Sequence, residues 1–477
     1  MGFFLLLLYL VASYLSPEEL FPQLAPYRIV VWITVAAVLA SIPLLVGAQW
    51  LAKLPQTYVL LGLLGAMMFS EVAHLWFGGV LYAFQSFMPA LIIFFLVCMH
   101  ANTWARLRIL VLVLCGIALE LLAHTLWDLH TGNLISPYLM VMNPESTSPL
   151  IRIRGVGYLN DPNDFAQFLL VILPLVALAW AKGKKLRNFF LVVIPCMALI
   201  YGVYLTHSRG ALLALTVLAV ILMSRRVPLW VSIFSGTLLF VGMKVFGFTG
   251  GRDISVEAGS DRIDLWGSGL HMLRMSPLWG VGYGKFMDYA PLTAHNSFIL
   301  CMAEVGVIGY SCWLAALVIS FLLLNSLSPF SSYFRRRQDS DEADKRPDNK
   351  RAKNNARVND PTERAKPRFE PRLRPFMDTG VMREEEDKKK AERVRCWANT
   401  LRFSLIAFVV TGWFLSRTYT ITLYVLLGMI AVLGRLAKDT PLDAQPRANW
   451  VKITLVTEAA SIVALYAIVR ISDIFVH

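Results

Sequence analysis

Apolar runs of roughly twenty residues recur along most of this chain, separated by short polar connections, and a helix needs ~20 apolar residues to cross a ~30 Å hydrocarbon core. The runs predict spans near 2–15, 28–47, 56–77, 81–99, 107–127, 163–181, 188–206, 209–223, 228–248, 295–325, 399–415, 419–434 and 451–471. The expected fold is therefore all-α, a polytopic transmembrane helix bundle of 12 to 13 spans; the short first run either crosses or lies in the interface. Two connections, 128–162 and 249–294, are long enough to hold structure of their own, and the second is expected to carry short helices.

A third connection, 326–398, breaks the pattern. It is rich in Arg, Lys, Asp, Glu, Asn and Pro, and its central part has almost no branched aliphatics. Such a segment cannot bury enough apolar surface to fold alone. The organisation read from the chain is a membrane domain over 1–325, a disordered charged insert over 326–398, and C-terminal transmembrane helices over 399–477.

Composition agrees, with 56% hydrophobic residues and a mean hydropathy of +0.56. The net charge of +13 raises nucleic acid as a partner, but residues 335–395 alone hold 20 basic and 14 acidic side chains, a net of +6. Positive-inside bias and anionic membrane lipids account for that distribution without nucleic acid. Placing AKGKKLR (181–187), SRRVP (224–228) and the insert in the cytoplasm puts loops 128–162 and 249–294 outside. The first apolar run lacks a basic leader and a small-residue cleavage site, so it reads as a span and not a removed signal. Five cysteines fall in apolar segments and Cys396 beside a basic run, which implies no disulfide framework.

The outward positive residues are almost all arginine: Arg28, Arg152, Arg154, Arg209, Arg252, Arg262, Arg274 and Arg417. Positive charge is disfavoured there, and the planar guanidinium pairs bidentately with phosphate. A phosphate-bearing ligand at the outer leaflet would explain the bias. Arg28, Arg274 and Arg417 are equally served by snorkelling to lipid phosphates. Arg209, in Thr206-His207-Ser208-Arg209-Gly210, stands at the head of a helix, where its charge opposes the positive helix terminus unless an anion joins both. His207 either joins that site or bonds to backbone. Arg154 precedes Asp161-Pro162, a helix start in its own right, and is a second anion contact or a loop residue.

Two pairs stand at the outward ends of spans, Glu71 with His74 and Glu120 with His124. Each pair shares a helix face, and either lines a polar cleft or satisfies itself. His295 opens the longest run. On a continuous helix it would share a face with Ile299, Met302, Gly306 and Gly309, the glycines admitting a close neighbour below it, while Asn296 points aside. A neutral histidine at a membrane boundary is a fitting proton acceptor. The chain has no His-x-x-x-His, Cys-x-x-Cys or P-loop, and Gly280-x-Gly282-x-Gly284 reads as a tight turn. No cofactor and no metal site are expected.

At His295-Asn296, followed by nine residues, Gly306, two more and Gly309, the sequence resembles the C-terminal signature of bacterial O-antigen ligases and O-antigen polymerases. Ser208-Arg209-Gly210-Ala211-Leu212-Leu213, Arg262-Ile263-Asp264-Leu265-Trp266 and Ser276-Pro277-Leu278-Trp279-Gly280-Val281-Gly282 are similar to family segments in the same order. The resemblance implies a GT-C-type glycosyltransferase of the bacterial inner membrane. Such an enzyme takes a glycan from undecaprenyl pyrophosphate at the periplasmic face and passes it to a lipid, glycan or protein hydroxyl, inverting the anomeric carbon without a metal. His295 would be the base; Arg209 and Arg262, supported by Arg154, would hold pyrophosphate; His207, Arg252, Asn296, Glu120, His124, Glu71 and His74 are secondary candidates. A lipid-linked glycan flippase and a membrane scaffold are the rivals from other classes, but neither needs both the outward arginines and a histidine-bearing loop. The long insert and the thirteenth span depart from the family pattern.

Overall fold

Inside hydrocarbon every backbone N–H and C=O must find a partner within the protein, which leaves helices as the economical solution for a chain of this hydropathy. A computed structural model describes residues 1–142, 149–224, 226–245, 247–248, 256–330, 379–442 and 448–476. Among them, eight helices are long and apolar enough to cross a membrane and four further apolar helices are shorter, the architecture of a multi-pass membrane protein.

In chain order the helices begin with α1 (Gly2–Leu15), α2 (Pro17–Leu20), α3 (Ile29–Leu45), α4 (Pro55–Ala73), α5 (Phe77–His100) and α6 (Trp104–Thr131). Strands β1 (Leu139–Met142) and β2 (Leu150–Ile153) follow, then α7 (Pro162–Val176), α8 (Lys185–Asn188), α9 (Ile194–Leu205), α10 (Arg209–Met223) and α11 (Leu229–Val245). The second half holds α12 (Val256–Met275), α13 (Phe286–Tyr289), α14 (Ser297–Leu327), α15 (Thr379–Gly412), α16 (Ile421–Leu436) and α17 (Trp450–Val476). Every predicted span coincides with a helix or a pair of abutting helices. The strands are an addition to the all-α expectation: a small antiparallel hairpin with Leu139 opposite Ile153 and Met142 opposite Leu150.

Helix α14 is the axis of the bundle. It packs against α4, α12, α15, α16 and α17, and its Tyr310 and Trp313 are buried. Its course corrects the expectation of one uninterrupted helix from residue 295. The helix starts at Ser297, and Gly306 breaks it with φ 65° and ψ −171°. A break in mid-membrane orphans carbonyls above it and N–H groups below it, and the 277–282 loop supplies both partners. Val281 and Gly282 donate N–H to Ala303 O (2.9 Å) and Glu304 O (3.0 Å), while Val307 N–H donates to Pro277 O (2.9 Å). Irregular backbone at this depth is tolerable because protein, not lipid, surrounds it.

The glycines therefore have different reasons from the ones the sequence implied. At Gly306 a Cβ would collide with Leu278 O, and at Gly280 (φ 69°) with the Glu304 carbonyl, so the loop rests directly on helix backbone. At Gly309 a Cβ would instead meet side chains, Val305 of the same helix at 2.4 Å and Ala66 of α4 at 3.4 Å.

The stretch read as a charged insert is helical from Thr379 onward. Residues 331–378 lie outside the described region, but α15 begins at Thr379 and runs without interruption into the bundle. Two causes extend it: Val394, Trp397, Ala398 and Leu401 continue the buried stripe of the span upstream, and Glu384–Lys388 and Glu385–Lys389 pair at i,i+4 on exposed turns.

Candidate functional site

Asn296 caps α14: its Oδ1 accepts from Phe298 N–H (2.9 Å) and Ile299 N–H (3.2 Å), as expected of an Asn at this position. Its Nδ2 is buried without a hydrogen-bond partner among the described residues. His295, one residue earlier, takes φ 48°, a left-handed conformation that non-glycine residues rarely adopt. It is thus not on the helix, and the shared face with Ile299, Met302 and Gly306 does not exist. The same arrangement recurs at α10, where His207 has φ 51° and the next residue, Ser208, is the N-cap through Ala211 N–H (3.4 Å).

The turn between α15 and α16 holds the histidine segment in place. Ser297 Oγ donates to Leu415 O (2.5 Å) and accepts from Arg417 N–H (2.9 Å); Thr418 Oγ1 donates to Ser297 O (2.8 Å), and Thr293 Oγ1 to Ser416 Oγ (2.8 Å). From the other side Trp266 Nε1–H of α12 donates to Ala294 O (3.1 Å), its ring edge-on to Trp413. Arg262 lies one turn before Trp266 and so shares its face of α12. The same turn receives α10, because Gly210 packs on Phe414 with no room for a Cβ. Arg209, half-buried at the first position of α10, is therefore drawn to the end of the bundle that carries His295.

Helix α7 contributes acids to this end. Asp161 caps it through Asn163 N–H (2.7 Å), while Asp164 is buried and ion-paired with Arg417 through both guanidinium Nε and Nη2. Burial lowers the His295 pKa from its ordinary value; the Arg262 guanidinium pushes in the same direction, Asp161 opposes, and Arg417 adds to the lowering. The imidazole is held neutral in a field set by Arg262, Asp161 and Arg417.

The remaining sequence candidates divide. Arg154 donates from Nε to Pro137 O (2.9 Å) and from Nη1 to Asn160 O (3.3 Å), holding the hairpin to the start of α7. His207 Nδ1 lies 3.1 Å from Phe248 O. Glu120 and His124 form an ion-pair contact of 2.9 Å within α6, and the imidazole stacks on Tyr138. Glu71 and His74 do not pair in this way. His74 Nδ1 is 2.8 Å from Ser70 O, and Glu71, 1% exposed, is enclosed by Gly79 and Gly282. Glu71 consequently lines no open cleft, because the 277–284 loop lies over it. Arg252 lies outside the described residues.

Sequence reasoning left Arg417 to snorkelling and Asp164 to the helix start, and did not pair them. Arg417 does not snorkel; it pairs with a buried carboxylate, and its backbone binds the residue after Asn296. The available signal was the pair of ionisable groups itself, since a carboxylate one turn inside a span calls for a partner at the same membrane end.

Residues 194–314 match the family model described as O-Antigen ligase. That stretch contains Arg209, Arg262 and His295, and the match supports the O-antigen ligase and polymerase superfamily. No match is found among curated proteins.

Proposed function

We propose that this chain is a glycosyltransferase of the bacterial inner membrane that moves a glycan from undecaprenyl pyrophosphate to an acceptor hydroxyl at the periplasmic face. The observation that carries the reading is His295, held neutral and left-handed between Arg262 and the 412–418 turn, inside the stretch that matches the O-Antigen ligase model. A neutral imidazole accepts the proton of the acceptor hydroxyl as its oxygen attacks the anomeric carbon. The new C–O bond forms on the face opposite the leaving group, the bond to the phosphate oxygen breaks, and its electron pair departs with undecaprenyl pyrophosphate. Arg209 and Arg262 bind that pyrophosphate and stabilise its growing charge. Arg154 supports the site through the hairpin and α7. The chemistry asks for no metal, since guanidinium groups supply the positive charge.

Purified protein, a lipid-pyrophosphate glycan and an acceptor provide the test. Transfer by the wild-type chain, with loss of about 10²- to 10⁴-fold in turnover for His295→Ala and donor binding retained, is the expected result. Translocation of the donor without any glycosidic product would replace this reading with a flippase.

A further inference from the structure

The turn between α15 and α16 carries an arginine that is held by its backbone and by its side chain. The Arg417 backbone N–H donates to Ser297 Oγ (2.9 Å), two residues after His295, and the side chain pairs with Asp164 of α7 through Nε and Nη2. A guanidinium has five N–H donors in a planar fork. Nε and Nη2 facing one carboxylate use a single edge of that plane, so the edge made by Nη1 and the second Nη2 hydrogen is turned away from Asp164. No described residue accepts from Nη1.

That side chain is presented while its partner is enclosed. Asp164 is 4% exposed and the Arg417 side chain 40%. The charge of Arg417 reaches His295, so the accessible guanidinium and the imidazole stand at the same end of the bundle. Anchoring from α7, from the start of α14 and from its own turn leaves Arg417 little freedom to lose when a ligand binds.

What the outer edge can hold follows from the pairing. Asp164 offsets the charge of Arg417, so the pair attracts an anion less than a lone arginine does, and in the reading above pyrophosphate falls to Arg209 and Arg262. Snorkelling to lipid phosphate would need no buried counter-charge at all. Two parallel N–H donors in a pair without net charge suit two neighbouring neutral oxygens. Adjacent ring hydroxyls of a sugar present such oxygens side by side.

We infer that Arg417 reads the sugar: its outer Nη1/Nη2 edge donates to two adjacent hydroxyl oxygens of the lipid-linked sugar brought to His295, and Asp164 is the residue that positions it. The inference rests on the glycan-handling part of the proposed function and not on transfer itself.

The test is equilibrium binding by the full-length purified protein in detergent. Its probes are undecaprenyl pyrophosphate, the same lipid carrying N-acetylglucosamine, and that sugar lipid in its 4-deoxy form, which has no adjacent pair of ring hydroxyls. The wild type should bind the sugar lipid about tenfold or more tighter than the bare lipid, and the 4-deoxy form should lose most of that preference. This comparison needs no variant, so it stands even where a variant folds poorly. Arg417→Met/Asp164→Leu removes the ion pair as a unit, which spares the fold better than removing one partner does; it should bind the bare lipid as the wild type does and lose the preference. Arg417→Lys keeps an ion pair, lacks the fork and should lose most of the preference too. Equal wild-type affinity for the sugar lipid and the bare lipid overturns the inference, as does a preference that survives in full in either variant. Weaker binding of the bare lipid by the same factor as the sugar lipid also overturns it, because Arg417 would then be a contact to pyrophosphate. A sugar preference that depends on Arg417 but comes with no glycosidic product supports the inference and unseats only the transfer reading.

Discussion

Arg417 pairs with Asp164 across 253 positions of sequence, and the backbone N–H of the same arginine donates to Ser297 Oγ at 2.9 Å. One residue thereby fixes the distance between α7 and the start of α14, and with it the position of His295 relative to Asp161. Asp164 is buried, while the Arg417 side chain is 40% exposed. Arg417→Gln and Asp164→Asn should each destabilise the protein by about 1–3 kcal/mol, the cost of leaving a buried polar partner unsatisfied. Because the two residues act as one unit, the double variant should cost much less than the sum. Urea- or heat-induced unfolding of the four proteins in one detergent measures the cycle; additive losses would show that the pair is not coupled.

On the proposed mechanism, His295 sets the acid limb of the rate. Burial, Arg262 and Arg417 lower its pKa, so the neutral form persists to lower pH than in an unfolded chain, where the midpoint is about 6.5. As the proposed base, His295 should make transfer rise with pH and level off, with the midpoint of kcat/KM below about 6.5. Stability follows the same sign. The unfolded chain binds this proton more readily, so the contribution is constant above about pH 6.5 and is lost as pH falls through the folded pKa. Arg262→Gln removes the larger of the charge effects and should move the midpoint upward. A midpoint unmoved in that variant would separate Arg262 from the histidine.

Gly306 and Gly280 meet where helix and loop backbones touch, and both need a left-handed conformation as well as the missing Cβ. Gly306→Ala should cost several kcal/mol, combining the ~1–2 kcal/mol of a left-handed non-glycine residue with the ~1–3 kcal/mol of overpacking. Gly309→Ala meets only Val305 and Ala66 side chains and should cost less. Comparing the two by thermal unfolding distinguishes the helix break from ordinary close packing, since equal losses would mean that Gly306 acts as a packing glycine too.

These glycines also mark the limit of what was legible in the chain. Spans were readable because hydrocarbon imposes one length and one hydropathy on every crossing. The helix cap at Asp161 was readable because capping is local. The break at Gly306 was not, since a glycine inside an apolar run permits a helix and permits its interruption equally, and the decision is made by Leu278 some thirty positions away. The candidate site was half legible for the same reason. Arg209, Arg262 and His295 announce themselves by charge in an apolar context, whereas the use of Arg417 depends on where Asp164 arrives in space.

The last prediction concerns Arg209 and Arg262 and separates phosphate recognition from positive charge alone. Hydrogen bonds to charged groups contribute about 1.5–3 kcal/mol each, and a guanidinium fork makes two to one pyrophosphate where an ammonium offers a point charge. Arg209→Lys and Arg262→Lys should therefore keep the net charge and still lose about tenfold or more in transfer. If the forks act mainly on charge that develops on the leaving group, single-turnover rate falls further than donor affinity. The packing supports reading the two variants separately: Arg209 begins α10 on the Phe414 side of the turn, and Arg262 reaches the site from α12 with Trp266. Single-turnover transfer and donor binding, measured side by side in purified protein, give both quantities. Lysine serves as well as arginine for anchoring to lipid head groups, so wild-type rates in both variants would leave the pyrophosphate role without support.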